Sequence, residues 1–262
     1  MKIALGVEYN GRDYYGWQKQ DISPTIQEAL ELAISDVADE SIEIICAGRT
    51  DTGVHAIQQV VHFETTSIRE SHAWMLGTNS KLPKDIAVTW VKEVDDDFHA
   101  RFSALGRTYQ YVILNRRARP GILNGLVTWE CRKLDLDKMR KASKCLIGEH
   151  DFSSFRAVAC QAKTAVREIQ CLEIDKLDEW FVITISANAF LHHMVRNIAG
   201  VLMAIGQGKE GVTWSAEVLA SKDRTAGGVT APPDGLYLVS VQYPERFAIP
   251  NPKKLIEQIR FI

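Results

Sequence analysis

Asp51 stands in the segment Ala47-Gly48-Arg49-Thr50-Asp51-Thr52-Gly53-Val54-His55-Ala56, the part of the chain most suited to chemistry. A single carboxylate can act as a nucleophile or as a base. Gly48 and Gly53 permit positive φ or close approach to a ligand. Thr50 and Thr52 can bond locally to the backbone, and Arg49 can hold a nearby carboxylate ionised. The plainer reading is an Asx-turn in a tight connection. An arginine and a histidine within four residues of Asp51, in a loop between strand-like runs at 42–46 and 57–63, favour the functional reading. Loops on a rigid scaffold are where binding and catalytic groups concentrate.

Two other groupings carry chemistry. Arg107, Tyr109 and Tyr111 alternate along a predicted strand and share one face, with Thr108 and Gln110 on the other. An aromatic beside a cation suits stacking on a nucleobase and contact with a phosphate, and equally suits cross-strand packing of tyrosines. Arg196 lies on a predicted helix among apolar positions, where a cation needs a partner. Asp51 is one candidate partner; another acid in a structural pair is the other.

Several chemistries fit poorly. Asp-Thr-Gly at 51–53 occurs once, and aspartic proteases need two carboxylates sharing a proton. His55, His192 and His193 could ligate a metal, but adjacent histidines on a helix point about 100° apart and no His-Glu-x-x-His spacing is present, so a structural role is expected. Gly206-x-Gly208 and Gly227-Gly228 do not follow a strand and open a helix as a phosphate loop would.

The elements that must position these residues follow from periodicity. The spacing predicts a strand over 2–9, a Gly-rich aromatic loop over 10–20, and a helix capped by Thr25 and Glu28 with Ile26, Leu30, Ala33, Ile34 and Val37 on its apolar face. The two strands about Asp51, a helix over 71–82 ended by Pro83, and a strand over 86–91 complete a β-α-β-β-α-β order, the ferredoxin-like pattern. The second half repeats the theme loosely: a strand over 102–114, a helix over 136–147, paired strands over 166–174 and 180–187, a helix over 192–205 and a closing strand over 236–241. The expected fold is α+β: two ferredoxin-like halves, 1–100 with the Asp51 loop and 101–262 with the basic segment, packed around a continuous, mainly antiparallel sheet with a central cleft.

A chain of 262 residues, 46% hydrophobic and 24% charged, can bury one large core or two ordinary ones and is not of disordered type. No run approaches a membrane span, and the first residues lack the apolar core of a secretory signal, so a cytoplasmic protein is expected. Five cysteines without Cys-x-x-Cys spacing point to neither a disulfide framework nor a zinc site. The net charge is −2, yet residues 101–170 hold 14 Lys/Arg against 6 Asp/Glu. Such asymmetry fits a basic surface for a polyanion, or simply a solvated loop and a polar helix face.

Taken together the segments resemble the tRNA pseudouridine synthase A family nearly end to end. The 47–56 segment is similar to its catalytic loop. Arg101-Phe102-Ser103-Ala104 followed by Arg107-Thr108-Tyr109 is similar to its substrate-stacking strand. Ser154-Phe155-Arg156, the 190–197 run from Phe190 to Asn197, and Ala231-Pro232-Pro233-Asp234-Gly235-Leu236 match further motifs in order. Thr52 departs from the Ala common in the family, a change without consequence for the reaction. The resemblance implies isomerisation of uridine to pseudouridine at positions 38, 39 and 40 of the tRNA anticodon stem-loop, by a homodimer using neither metal nor organic cofactor. It implies Asp51 as the catalytic carboxylate, with Tyr109, Arg49, Arg196 and Leu236 binding the substrate. The rival expectations are a non-catalytic RNA-binding module of the same fold and a single-carboxylate nucleoside hydrolase.

Overall fold

A computed structural model describes residues 1–158, 160 and 162–250. The chain forms β1 (Lys2–Tyr9), α1 (Ile26–Ala38), β2 (Ile45–Cys46), β3 (His55–Glu64), α2 (Ser71–Lys81) and β4 (Ile86–Val94). It continues with β5 (Gly106–Asn115), β6 (Thr128–Glu130), α3 (Leu136–Ser143), β7 (Gly148–Asp151), β8 (Val166–Leu177), β9 (Trp180–Ala187), α4 (Met194–Gly206) and α5 (Trp214–Ser221), and closes with β10 (Leu236–Gln242). These divide into two compact units, one of residues 1–105 with the segment from Tyr237 onward, the other Gly106–Leu236.

In the first unit β1 lies between β3 and β4, antiparallel to both, and β2 adds to β3. That is the strand order expected of β-α-β-β-α-β. Tyr237 and Leu238 run parallel to His55 and Ala56. Thr25 caps α1, its side chain accepting from Glu28 N at 3.4 Å, as the capping spacing predicts. Leu30, Ala33 and Ile34 are buried on its inner face, and Val37 packs where Gly77 leaves room on α2. The strand expected over 42–46 is laddered only at Ile45–Cys46. Ile42 N donates instead to Ser35 Oγ (2.9 Å) and Ile44 N to Glu31 Oε1 (3.2 Å), so α1 takes the amides a neighbouring strand would have used.

The second unit repeats the β-α-β-β-α order in β5-α3-β8-β9-α4. β9 lies between β5 and β8, antiparallel to both; β7 adds to the far side of β8 and the short β6 runs parallel to β5. Three expected elements differ. The strand predicted from residue 102 starts at Gly106, because residues 99–103 form a turn whose amides are taken by side chains. The helix predicted over 136–147 ends at Ser143 and tightens into a 3₁₀ turn over Lys144–Leu146. The helix predicted from His192 starts at Met194, since His193 is left-handed at φ 62° and serves as its N-cap. His192 and His193 therefore occupy a turn rather than a helix face, with ring centroids 4.1 Å apart. β6, β7 and α5 were not expected. No helix among the described residues is long and apolar enough to cross a membrane.

Candidate active site

Asp51 follows β2 and precedes β3, in a loop braced by the segment between β1 and α1. Trp17 N donates to Thr50 O (3.0 Å) and Gly53 N to Tyr14 O (3.3 Å), so the two loops exchange backbone bonds on either side of Asp51. Val54 N closes a turn onto Asp51 O at 3.1 Å. Buried Thr50 shares a hydrogen bond with Tyr9 Oη at 2.8 Å. The approach is close enough to require glycine. A Cβ on Gly16, which has φ +87°, would sit 2.8 Å from Thr50 O, and one on Gly11 would sit 2.0 Å from Val54 O. Gly53 is itself at φ +78°, outside ordinary side-chain preference.

His55, weighed above as a metal ligand, uses Nδ1 to accept from Gly11 N at 3.1 Å and stacks on Tyr237 with centroids 4.6 Å apart. Asp51 is half-buried and Arg49 exposed. The thiol of Cys46 is pushed up to about 11 by burial, against the pull of Arg49 and Arg101. It is thus a protonated core residue rather than a competing nucleophile.

The second unit gathers Tyr109, Arg196 and Leu236. Tyr109 is buried on β5, with its ring edge-on to Phe190 at 5.1 Å. Two residues on, and so on the same face, Tyr111 Oη bonds Thr128 Oγ1 and donates to Pro232 O (2.9 Å). Burial raises the Tyr111 pKa well above that of an ordinary tyrosine, so the phenol stays protonated and can donate. Half-buried Arg196, on the first turn of α4, donates from Nε to Ala231 O (2.9 Å), and Ala231 N returns a bond to Arg196 O (3.1 Å). Leu236 is buried at the head of β10. Behind them Asn197 donates to Phe155 O (2.7 Å) and accepts from Thr230 Oγ1 (2.7 Å) and Arg224 Nη2 (3.1 Å). Arg224 Nη1 also reaches Gly227 O and Gly228 O. The segments 154–156, 190–197 and 231–236 are therefore tied into one hydrogen-bonded cluster.

Each unit thus carries part of the expected set: Arg49 and Asp51 lie in one loop of the first, and in the second Tyr109 packs on Phe190 while Arg196 bonds Ala231, five residues before Leu236. Sequence reasoning passed over the supporting residues. Gly11 and Gly16 could have been singled out as glycines closely following a strand. Asn197 closes the 190–197 run quoted above, whereas nothing in the local pattern marks Arg224.

A family model described as tRNA pseudouridine synthase matches residues 6–103 and 142–244. The chain belongs to the tRNA pseudouridine synthase family, and as a member it is an isomerase that converts uridine to pseudouridine. Relatives named tRNA pseudouridine synthase A extend the match. That of Nitrosococcus oceani is 56% identical over 251 residues, covering 96% of this chain and 97% of its own. That of Cronobacter sakazakii is 56% identical over 252 residues, covering 96% and 93%. That of Escherichia coli is 54% identical over 251 residues, again covering 96% and 93%.

Proposed function

We propose that the chain makes pseudouridine at positions 38, 39 and 40 of the tRNA anticodon stem-loop, acting in the cytoplasm as a homodimer that grips tRNA across both subunits. Asp51 supplies the reacting carboxylate. The observation that carries the reading is the bracing of Asp51: a half-buried carboxylate, in the motif of this family, on a loop pinned by backbone bonds at Thr50 and Gly53.

The uracil must leave C1′, turn, and rejoin through C5, the C5 proton being released and N1 gaining one, so nothing is lost overall. Asp51 attacks C6 of the base, attacks C1′ of the sugar, or removes a C2′ proton to give a glycal; the residues favour none of these. Each route uses the carboxylate in its charged form. Tyr109 stacks on the target base and its hydroxyl takes up a proton late in the reaction; Leu236 covers the other face of the base. The nucleotide must first leave its stack, at a cost of a few kcal/mol, and Arg49 fills the vacated space while touching phosphate. The basic 101–170 segment follows the RNA backbone.

Asp51→Ala tests this. Salt-sensitive tRNA binding should survive while pseudouridine, detected by chemical labelling and mass spectrometry, disappears. Product formation at the wild-type rate by this variant would end the mechanism. Release of free uracil by the wild-type protein would favour the hydrolase, and a wild-type protein that binds tRNA without changing it would be the non-catalytic module. Tyr109→Phe should bind nearly normally and turn over slowly.

A further inference from the structure

The Arg101-Phe102 motif, expected on a strand, lies instead in a turn of the first unit and has no part in the roles assigned above. The segment carrying it is held from many sides. Lys2 Nζ donates to Asp96 O and to Phe98 O (3.3 Å). His62 Nδ1 accepts from Ala100 N (3.1 Å), and Tyr243 Oη donates to Ala100 O (2.6 Å). His99 Nδ1 accepts from both Arg101 N and Phe102 N (3.2 Å each), and Ser103 Oγ accepts from His99 N (3.0 Å). Leu105 N reaches Gln242 O at 2.8 Å.

Phe98 and Ala100 are fully buried, yet Phe102 is 75% exposed. A large apolar ring held in water by so ordered a backbone forgoes the gain of burial. Its ring lies against His99 (centroids 4.3 Å, 33°), and the Arg101 guanidinium stands 5.5 Å from its centroid. Ala100 donates to His62, which pairs with Ile45, so the turn adjoins the strand that leads into the Asp51 loop.

We propose that Phe102 is an RNA-stacking residue: its exposed ring takes an unpaired base of the tRNA other than the target uridine, with Arg101 beside it for the adjoining phosphate. This rests on the tRNA reading above. An aromatic platform beside a cation is how single-stranded RNA is held without sequence readout. His62 and His99 are positioning residues, accepting amide protons that fix the turn. Both must be neutral to accept. Burial, then His99 and Lys2, lowers His62 to about 4, and burial, Lys2 and Arg101 lower His99.

The test measures Kd for an unmodified tRNA transcript at several salt concentrations, with KM and kcat for pseudouridine formation, on the full chain. Phe102→Ala and Phe102→Leu should weaken Kd and raise KM about 10- to 100-fold with a much smaller change in kcat, and Phe102→Trp should restore both. The salt slope should be unchanged by these variants and reduced by about one ion in Arg101→Gln. The ring is exposed, so thermal unfolding should be unaltered. Wild-type Kd in Phe102→Ala, or full binding by Phe102→Leu, overturns the inference. So does loss of turnover with binding intact, which would give the ring a part in the chemistry, and so does a change of oligomeric state in sedimentation, which would make it a subunit contact. Pseudouridine formation by the wild-type protein in the same assay keeps the catalytic reading separate from any of these results.

Discussion

The Asp51 loop and the segment from Gly227 to Leu236 share one device, backbone approach that only glycine allows, at Gly11 and Gly16 in one and at Gly200 and Gly235 in the other. They differ in how far side chains add to it. Around Asp51 backbone meets backbone at distances only glycine tolerates, and the bracing bonds at Thr50 and Gly53 are main-chain. Along α4 the segment has the backbone bond from Ala231 N to Arg196 O and, in addition, Arg196, Asn197, Arg224 and Tyr111 side chains reaching its carbonyls and hydroxyl. A backbone brace fixes position tightly and tolerates no added atom. A side-chain brace stores more of its strength in buried polar groups, which become costly once a partner is removed.

That contrast predicts which substitutions do harm, and of what kind. If Asp51 reacts as proposed, Gly16→Ala and Gly11→Ala should lower kcat by roughly 100-fold or more, since displacing a reacting group by an ångström has that effect. Gly208→Ala makes the control: φ is +73° but no atom lies within 4 Å of its Cβ, so stability should fall by about 1 kcal/mol with turnover intact. Equal kinetic losses in Gly208→Ala and Gly16→Ala would remove close approach as the cause.

Asn197→Ala should act in the other sense. It removes the acceptor of Thr230 Oγ1, one of several acceptors of Arg224 and a donor to the Phe155 carbonyl, costing about 2–4 kcal/mol in urea unfolding, with a smaller effect on kcat than Gly16→Ala. Arg224→Lys should rescue little, because an ammonium cannot reproduce the guanidinium fork.

Acid gives a third probe. The folded pKa values of His62 and His99 lie below the usual histidine value, so the unfolded chain binds these protons more readily. Their contribution to stability is present above about pH 6.5 and is lost as pH falls from there toward 4. The melting temperature should drop across that window, and His62→Gln should flatten the drop. The smallest effect is expected from Thr25→Ala, which removes the α1 cap for about 1 kcal/mol and leaves turnover unchanged.

What could be read in advance follows the same division. Strand alternation, the Thr25 cap and the Pro83 stop are local, and β1, α1, β3, α2 and β4 fell within a few residues of expectation. Residues 42–44 were misread because their amides go to Ser35 and Glu31, a choice made by a helix elsewhere in the chain. The two histidines before α4 were misread because an αL residue ended the helix early, and nothing in an apolar stripe announces a sign change in φ. The loop around Asp51 could be placed between two strands from its own composition. Its brace could not be read there, since Gly11 and Gly16 acquire their purpose only from Val54 and Thr50 some forty residues away.

The first unit is interrupted by the whole of the second, between residues 105 and 237. On the ribosome, at about 5–20 residues per second, the early part of that unit waits on the order of ten seconds or more for its last strand. Until Tyr237 emerges, His55 lacks its stacking partner, and Ala100 lacks Tyr243. The nascent chain therefore carries the Asp51 loop on an unfinished support until the β10 segment has emerged.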